Sequence, residues 1–345
     1  MVSSVIMTGR SELSKMAEGH PDHKQKASQV KEFKRFLCHK RTTYKNCYLA
    51  FISEFLYHIS HRGSLVFSID GSVVGNGCMC LMFSVIYKGR AIPVVWKTYK
   101  SKKGHLSESK HIELLNNLAE IVPKNCRIVM TGDGEFDGCD WQKCLLDLGW
   151  DYVLRTAKDT LIEDENGEKF QLHTMLVDCK YNPITNSIFF ENIEFTTKKK
   201  IANILVWHAA KHKKPLYLVT NLDYAPEIKQ FYKKRFKIEF LFKDLKSSGF
   251  HINKSRLRHP KRLDNLIIVL SIAYTIAIKG GEKALKSKFY KLIAQDKTKP
   301  LSLFQTGYLF LKKLVDLRQW REFNINKDIQ KDYTESESME IYVPF

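Results

Sequence analysis

Beyond residue 60 the chain alternates short apolar runs with longer amphipathic ones. Leu65-Val-Phe-Ser-Ile-Asp70 is an apolar run ending on a carboxylate, and it predicts a strand. Cys78 to Tyr87 and Ala91 to Tyr99 are two further apolar, β-branched runs. Lys88-Gly89-Arg90 separates them, which is a hairpin signal, so the three runs predict a meander. Leu106 to Val122 repeats Ile112, Leu115, Leu118, Ala119 and Val122 at helical spacing. Arg127 to Asp133 predicts a fourth strand, again closed by an acid. Cys139 to Leu148 predicts a helix and Tyr152 to Arg155 a fifth strand. The order βββαβαβ suits a mixed sheet with helices packed against it.

Lys158 to Lys214 breaks this alternation. Short strand-like pieces (Lys169–Leu172, Ser187–Thr196, Ile201–His208) are separated by Asn166-Gly167 and Asn182-Pro183 turns, which reads as a β-rich insertion. Leu216 to Thr220 returns to a strand. A long helix is expected from about Pro226 to Lys246, with Gly249 ending it. Two or three more helices follow to about Phe323, including an amphipathic stretch from Leu309 to Leu317. At the other end, Ser11 to Ala17 and Lys26 to Leu37 predict two helices, the second basic and amphipathic. That pair reads equally well as a helix-turn-helix relative that docks on DNA or as a small helical cap with a solvated basic face.

Charge changes the picture from fold to partner. The chain has 345 residues with a formal net charge of +19. Residues 322–345 contribute −4, leaving +23 on the rest. Such an excess attracts polyanions. At 44% apolar residues the chain is no disordered basic tail. The longest apolar run, Leu266 to Ile278, is too short to span a bilayer and predicts a buried helix, so no membrane partner is expected. The eight cysteines include no CxxC pair, and buried, reduced thiols are expected rather than zinc.

The candidate chemistry lies in three acids and one helix. Asp70 and Asp133 each end a predicted strand and each precede glycine. Asp-Gly is a strong turn signal by itself, but glycine beside an acid also permits close approach of a ligand. On the long helix, with Tyr232 at zero and about 100° per residue, Arg235, Glu239 and Lys246 fall near 300°, 340° and 320°. This polar stripe runs beside the apolar arc of Ile238, Leu241, Phe242 and Leu245. A solvated charge stripe with an Arg235–Glu239 ion pair would give the same pattern. Phe236 sits off the apolar arc, where an aromatic ring could stack on a base.

Tyr232-x2-Arg235-x3-Glu239-x6-Lys246 has the spacing of the YREK signature, and here the chain resembles the insertion-sequence DDE transposases of the IS-four group, relatives of the Tn-five transposase. Ile69-Asp70-Gly-Ser, Gly132-Asp133-Gly-Glu-Phe-Asp-Gly and Tyr217-Leu-Val-Thr-Asn-Leu are similar too. The resemblance implies an α/β, ribonuclease H-like mixed sheet flanked by helices, with the β-rich insertion before the last catalytic helix and helical N- and C-terminal regions. It divides the chain into a helical DNA-end-binding region (1–60), a first core part (61–157), the insertion (158–214), a second core part with the motif helix (215–280), C-terminal helices offering a dimer contact (281–323) and an acidic tail (324–345).

It also implies Asp70, Asp133 and Glu239 as catalytic, metal-binding residues. Three gathered carboxylates repel one another and call for hard divalent cations, Mg2+ or Mn2+, two in number. Tyr232, Arg235, Phe236 and Lys246 would contact DNA, and Tyr217 or Trp207 would hold a flipped base. Phe236 stands where the family often has Trp. The implied activity is cleavage of double-stranded DNA at transposon ends and 3′-OH transfer into target DNA, by a homodimer in the bacterial cytoplasm and associated with the nucleoid. The competing readings are a catalytically silent or domesticated DNA-binding descendant and a non-transposing ribonuclease H-like nuclease.

Overall fold

A computed structural model describes residues 1–20, 24–101, 106–163, 167–176, 186–195, 198, 200–208, 214–287, 290–293 and 301–316. The acidic tail lies outside the described residues. The chain forms two compact units, one from residues 1–62, 74–78 and 243–345, the other from 63–73 and 79–242.

The second unit is built on a ten-stranded sheet. Its strands are β1 (Leu65–Gly75), β2 (Cys78–Tyr87), β3 (Arg90–Lys100), β4 (Ile128–Gly132), β5 (Asp151–Thr156), β6 (Leu161–Glu163), β7 (Lys169–Gln171), β8 (Ser187–Phe195), β9 (Lys200–Trp207) and β10 (Leu216–Thr220). The spatial order is β3-β2-β1-β4-β5-β10-β9-β8-β6-β7. Turns at Asn76-Gly77 and Lys88-Gly89 fold the first three strands into the expected meander, with Gly77 and Gly89 in the left-handed conformation such turns require. Strand β4 runs parallel to β1, and β5 parallel to β4. This is a mixed α/β sheet of the ribonuclease H-like kind. Helices Glu108–Ala119 and Cys139–Asp147 make the connections from β3 to β4 and from β4 to β5.

The strands between β5 and β10 extend the same sheet: β10 lies antiparallel to β5, then come β9 and β8, also antiparallel. The short β6 has no counterpart among the sequence-predicted strands. One face of the sheet carries Val66, Val129, Val153, Leu205, Leu216 and Leu218, and against it packs the Ala225–Arg235 helix through Ile228, Phe231 and Tyr232.

The first unit is helical. Its centre is helix Pro260–Leu285, buried along nearly its whole length. At 26 residues it is longer than the apolar run suggests, and by length and composition it could cross a membrane, yet 89% of its apolar window is packed inside the protein. Helix Leu303–Asp316 crosses it so closely that a Cβ on Gly307 would strike the Ala277 carbonyl. Helix Lys26–Cys38 is tied to the same helix by Asn265 Nδ2, which donates to Leu37 O at 2.9 Å.

Candidate active site

Parallel pairing explains how two acids 63 positions apart meet. The β1–β4 register matches Leu65 with Ile128 and Ser68 with Thr131, and two residues further the same register matches Asp70 with Asp133. Side chains two apart along a strand share a face. The row therefore lies on the face covered by the Ala225–Arg235 helix, at the C-terminal end of β4 but midway along β1, which runs on to Gly75 instead of ending at Asp70 as the sequence pattern predicts. Both acids are partly buried. Asp70 Oδ1 accepts the Gly71 N–H at 2.8 Å, and Asp133 Oδ1 accepts the Glu135 N–H at 3.0 Å. Gly132 is required by crowding: a Cβ there would lie 2.9 Å from Phe136 Cβ and 3.1 Å from Leu154 Cδ2.

The motif helix differs from the expected single rod. It is α-helical over Ala225–Arg235 and Lys237–Lys243, with Phe236 as a turn between, and then widens into a π turn at Asp244–Ser248. A π turn holds more residues per revolution than an α-helix, so the angular reckoning that aligned Lys246 with the stripe fails there. Lys246 belongs to the first unit, whereas Tyr232, Arg235, Phe236 and Glu239 belong to the second.

Arg235 organises this end of the helix. Its side chain is only 8% exposed, and its Nη2 donates to Glu239 Oε1 at 2.6 Å. The guanidinium lies 4.4 Å from the Phe236 ring centroid and 5.8 Å from that of Tyr232. Its buried Nε has no hydrogen-bond acceptor among the described residues. A buried cationic donor without an acceptor is costly, so this site is short of an anion. Burial works against the Arg235 charge, but Tyr232, Glu239 and Asp70 more than offset it and hold its pKa above the usual arginine value.

The electrostatics bind these residues into one group. Burial and the neighbouring Asp133 push the Asp70 carboxyl up to about 7; Arg235 and the Gly71 N–H oppose that rise, and Glu239 adds to it. Tyr232 is raised by burial, with Arg235 and Arg155 pulling it down and Asp133 pushing it up. Asp70, Asp133, Arg155, Tyr232, Arg235 and Glu239 thus feel one another.

The sequence matches the Transposase DDE domain family over residues 95–276, more than half of the chain. The chain belongs to that family. Asp133, Tyr232, Arg235 and Glu239 lie within the matched span, and Asp70 lies before it, tied to the site by strand register. No curated protein sequence matches the chain. Among solved structures it is similar to the piggyBac transposase synaptic complex with hairpin DNA, at 13% identity and a TM-score of 0.42, covering 80% of this chain and 58% of that one. It is also similar to human ENDOV, at 16% identity and a TM-score of 0.28, covering 59% and 81%. The chain therefore spans under two thirds of the piggyBac chain's length.

The fit to a divalent cation is uneven across this transposase-domain site. Asp70 and Asp133 offer adjoining carboxylates, and burial with the Asp133 charge opposes ionisation of Asp70, which suits a hard cation. Glu239 is half-exposed and engaged by Arg235. Among the described residues no three His, Cys, Asp or Glu side chains are gathered closely enough to hold an ion together. So the expected three-acid cluster is present here as a pair plus a third acid held by its own helix.

Two aromatic expectations change as well. Tyr217 pairs with Thr156 and Val206, so it lies on the opposite face of the sheet from Leu216, Leu218 and the acid row, and it is buried. Trp207 pairs with Leu216 and shares the helix-covered face, where the Lys229 and Lys233 ammonium groups lie 5.7 and 5.5 Å from its ring. Phe236 has one face taken by Arg235. Residues that pattern reasoning passed over include Glu135, which accepts the Leu106 N–H at 2.9 Å and lies 3.5 Å from the buried His111. Its position two residues after Asp133 was the available signal.

Proposed function

We propose that this protein is a cut-and-paste transposase of the IS-four group, its Tyr232, Arg235, Glu239 and Lys246 forming the YREK set. In this reading it cleaves double-stranded DNA at the ends of a mobile element and joins the freed 3′-OH to target DNA, working as a homodimer. The observation that carries the proposal is the shared register of Asp70 and Asp133 on adjoining parallel strands, beside the acceptor-poor guanidinium of Arg235.

Asp70 and Asp133 would hold the Mg2+ or Mn2+, with Glu239 joining them once Arg235 releases it. The cation would supply Lewis-acid stabilisation of the attacking and leaving oxygens. Arg235 changes partner in this scheme: its guanidinium moves from the Glu239 carboxylate to a DNA phosphate, an anion it can grip in bidentate fashion. Tyr232 and Phe236, whose rings meet edge to face, flank that guanidinium at 5.8 and 4.4 Å. Exchange of one anion for another keeps the buried cation compensated throughout.

The test is strand cleavage of DNA carrying the element's ends with Mg2+ or Mn2+. Asp70→Ala, Asp133→Ala and Glu239→Ala should each abolish it, and cleavage at the parent rate by any of them removes that residue from the site. The Arg235–Glu239 ion pair favours one second reading, a DNA-binding descendant without catalysis. Tight end binding with no metal-dependent nicking would select it.

A further inference from the structure

Asp133 is carried by the loop from β4 to helix Cys139–Asp147, and the start of helix Glu108–Ala119 grips that loop from one side. At the loop's far end Glu108 Oε1 accepts the Trp141 N–H at 2.7 Å, which caps the following helix from outside. The same carboxylate fills the space that a Cβ on Gly138 would need. Phe136 and Trp141 are wholly buried, and the buried His111 ring lies 4.7 Å from the first and 6.2 Å from the second. From the other direction Asp137 Oδ2 accepts Thr156 Oγ1 at 2.7 Å, tying the loop to β5.

Glu135 stands in the middle of this loop and acts at both of its ends. Its backbone N–H donates to Asp133 Oδ1 at 3.0 Å. Its side chain, 12% exposed, reaches the other way: Oε1 accepts the Leu106 N–H at 2.9 Å and lies 3.5 Å from His111 Nε2. The residue is thus a strut between the segment before helix Glu108–Ala119 and the Asp133 carboxylate. Its N–H determines which oxygen of Asp133 is committed and which is left over. Packing alone gives no reason for an acid here. A buried carboxylate two residues from Asp133 adds desolvation and repulsion, costs that its two-ended hold offsets. Orientation of a carboxylate by an outer hydrogen bond is what turns it into a well-defined metal ligand.

We propose that Glu135 is a positioning residue of this site: anchored on the Leu106 N–H, it holds its own N–H on Asp133 Oδ1 and leaves Oδ2 to face a divalent cation. The inference rests on reading Asp133 as a cation ligand. In this role the reach of the Glu135 side chain matters and its charge does not. A nearby negative charge that merely attracted the cation would show the opposite dependence.

Three substitutions in the full chain separate the two. Glu135→Ala removes the acceptor, Glu135→Asp keeps the charge but falls a methylene short, and Glu135→Gln keeps the reach without the charge. Mn2+ titration by calorimetry should find binding weakened about tenfold or more in the Ala and Asp variants, the usual effect of losing an outer hydrogen-bond partner. Glu135→Gln should stay close to the parent. Hydrogen exchange in EDTA, followed on a peptide spanning residues 133–138, should be faster in the Ala and Asp variants and parental in Glu135→Gln. A Gln variant as weak for Mn2+ as the Ala variant would show that charge acts and would overturn the inference. So would parental Mn2+ affinity in folded Glu135→Ala, the result expected of an anchor that serves stability alone. Asp133→Ala is the control on the underlying reading: parental Mn2+ affinity there removes Asp133 from the cation site. In that event the exchange data still decide the strut, and parental protection in Glu135→Ala rejects it.

Discussion

Ser68 Oγ and Thr131 Oγ1 lie 2.8 Å apart in the sheet interior, two residues before Asp70 and Asp133 on the paired strands. Thr131 Oγ1 also donates to Phe67 O at 2.9 Å. These buried polar contacts sit in an otherwise apolar strand pair, and a slip of the register would strand them without partners. Thr131→Val should therefore cost about 1–3 kcal/mol, because Ser68 loses its partner. Adding Ser68→Ala should recover part of that loss, since two matched apolar groups leave nothing unsatisfied. Urea unfolding of the single and double variants checks this; strict additivity would show that the pair is not coupled.

The crowding at Gly132 makes a second, contrasting prediction. A methyl group there must displace Phe136 or Leu154, and the loop that carries Asp133 follows directly. Gly132→Ala should destabilise the protein by about 1–3 kcal/mol, the usual penalty of overpacking. It should also impair DNA cleavage. Gly134→Ala, whose methyl group would meet only the Arg155 carbonyl at an ordinary 3.9 Å, should be near neutral in stability. Equal unfolding midpoints for the two variants would contradict the role given to Gly132.

Asp70 and Asp133 repel each other in a partly buried setting, so removing one charge should help the metal-free fold. Asp70→Asn is expected to melt above the parent in EDTA. The parent should gain stability on addition of Mn2+, as any ligand of the native state provides, while Asp70→Asn should gain little. Thermal melts with and without Mn2+ measure both effects. An equal Mn2+ response in the two proteins would remove Asp70 from the cation site.

Lys229 supplies a pH signature away from the acids. It is buried, its Nζ donates to Ser187 Oγ at 2.8 Å, and burial with the nearby Lys233 charge lowers its pKa from 10.5 to about 8. Between about pH 8 and 10.5 the folded protein has released this proton while the unfolded chain still holds it. The unfolded state then binds more protons, so the Lys229 contribution to stability rises with pH across that window. Lys229→Met removes the term. The parent should accordingly gain on Lys229→Met between pH 8 and 10.5, with other groups such as Lys200 cancelling in the comparison. A constant stability difference across that range would refute the assignment.

Much of the sheet was legible because alternation and turn chemistry are local. Lys88-Gly89 and the apolar runs beside it specify a hairpin without reference to the rest of the chain. Asp133 was legible as a strand end, whereas Asp70, expected to end its strand, lies midway along β1 (Leu65–Gly75); the meeting of the two acids was not legible, since register depends on pairing partners 63 positions apart. Arg155 was hidden for the same reason: nothing within Tyr152–Thr156 marks it until β4 is laid alongside. On the motif helix a uniform 3.6-residue period carried Arg235 and Glu239 to one side correctly. It could not foresee the π turn at Asp244–Ser248, where Gly249 and the buried Asp244 alter the winding. The face that Tyr217 occupies, opposite the acid row, was not legible, because an aromatic residue in a short apolar strand reads alike on either face.

The Arg235–Glu239 contact gives the last prediction, and it separates two roles of one arginine. Arg235 holds Glu239 at 2.6 Å, on an otherwise half-exposed side chain. Arg235→Ala frees that carboxylate to approach Asp70 and Asp133. Mn2+ affinity by calorimetry should therefore hold or tighten in the variant. Its affinity for end DNA should fall by roughly tenfold, in keeping with the loss of one charge-assisted hydrogen bond to phosphate. Arg235→Lys should restore DNA binding only in part, because an ammonium group cannot make the bidentate contact. If Mn2+ affinity instead collapses in Arg235→Ala, the arginine is holding the acid row together rather than restraining its third member.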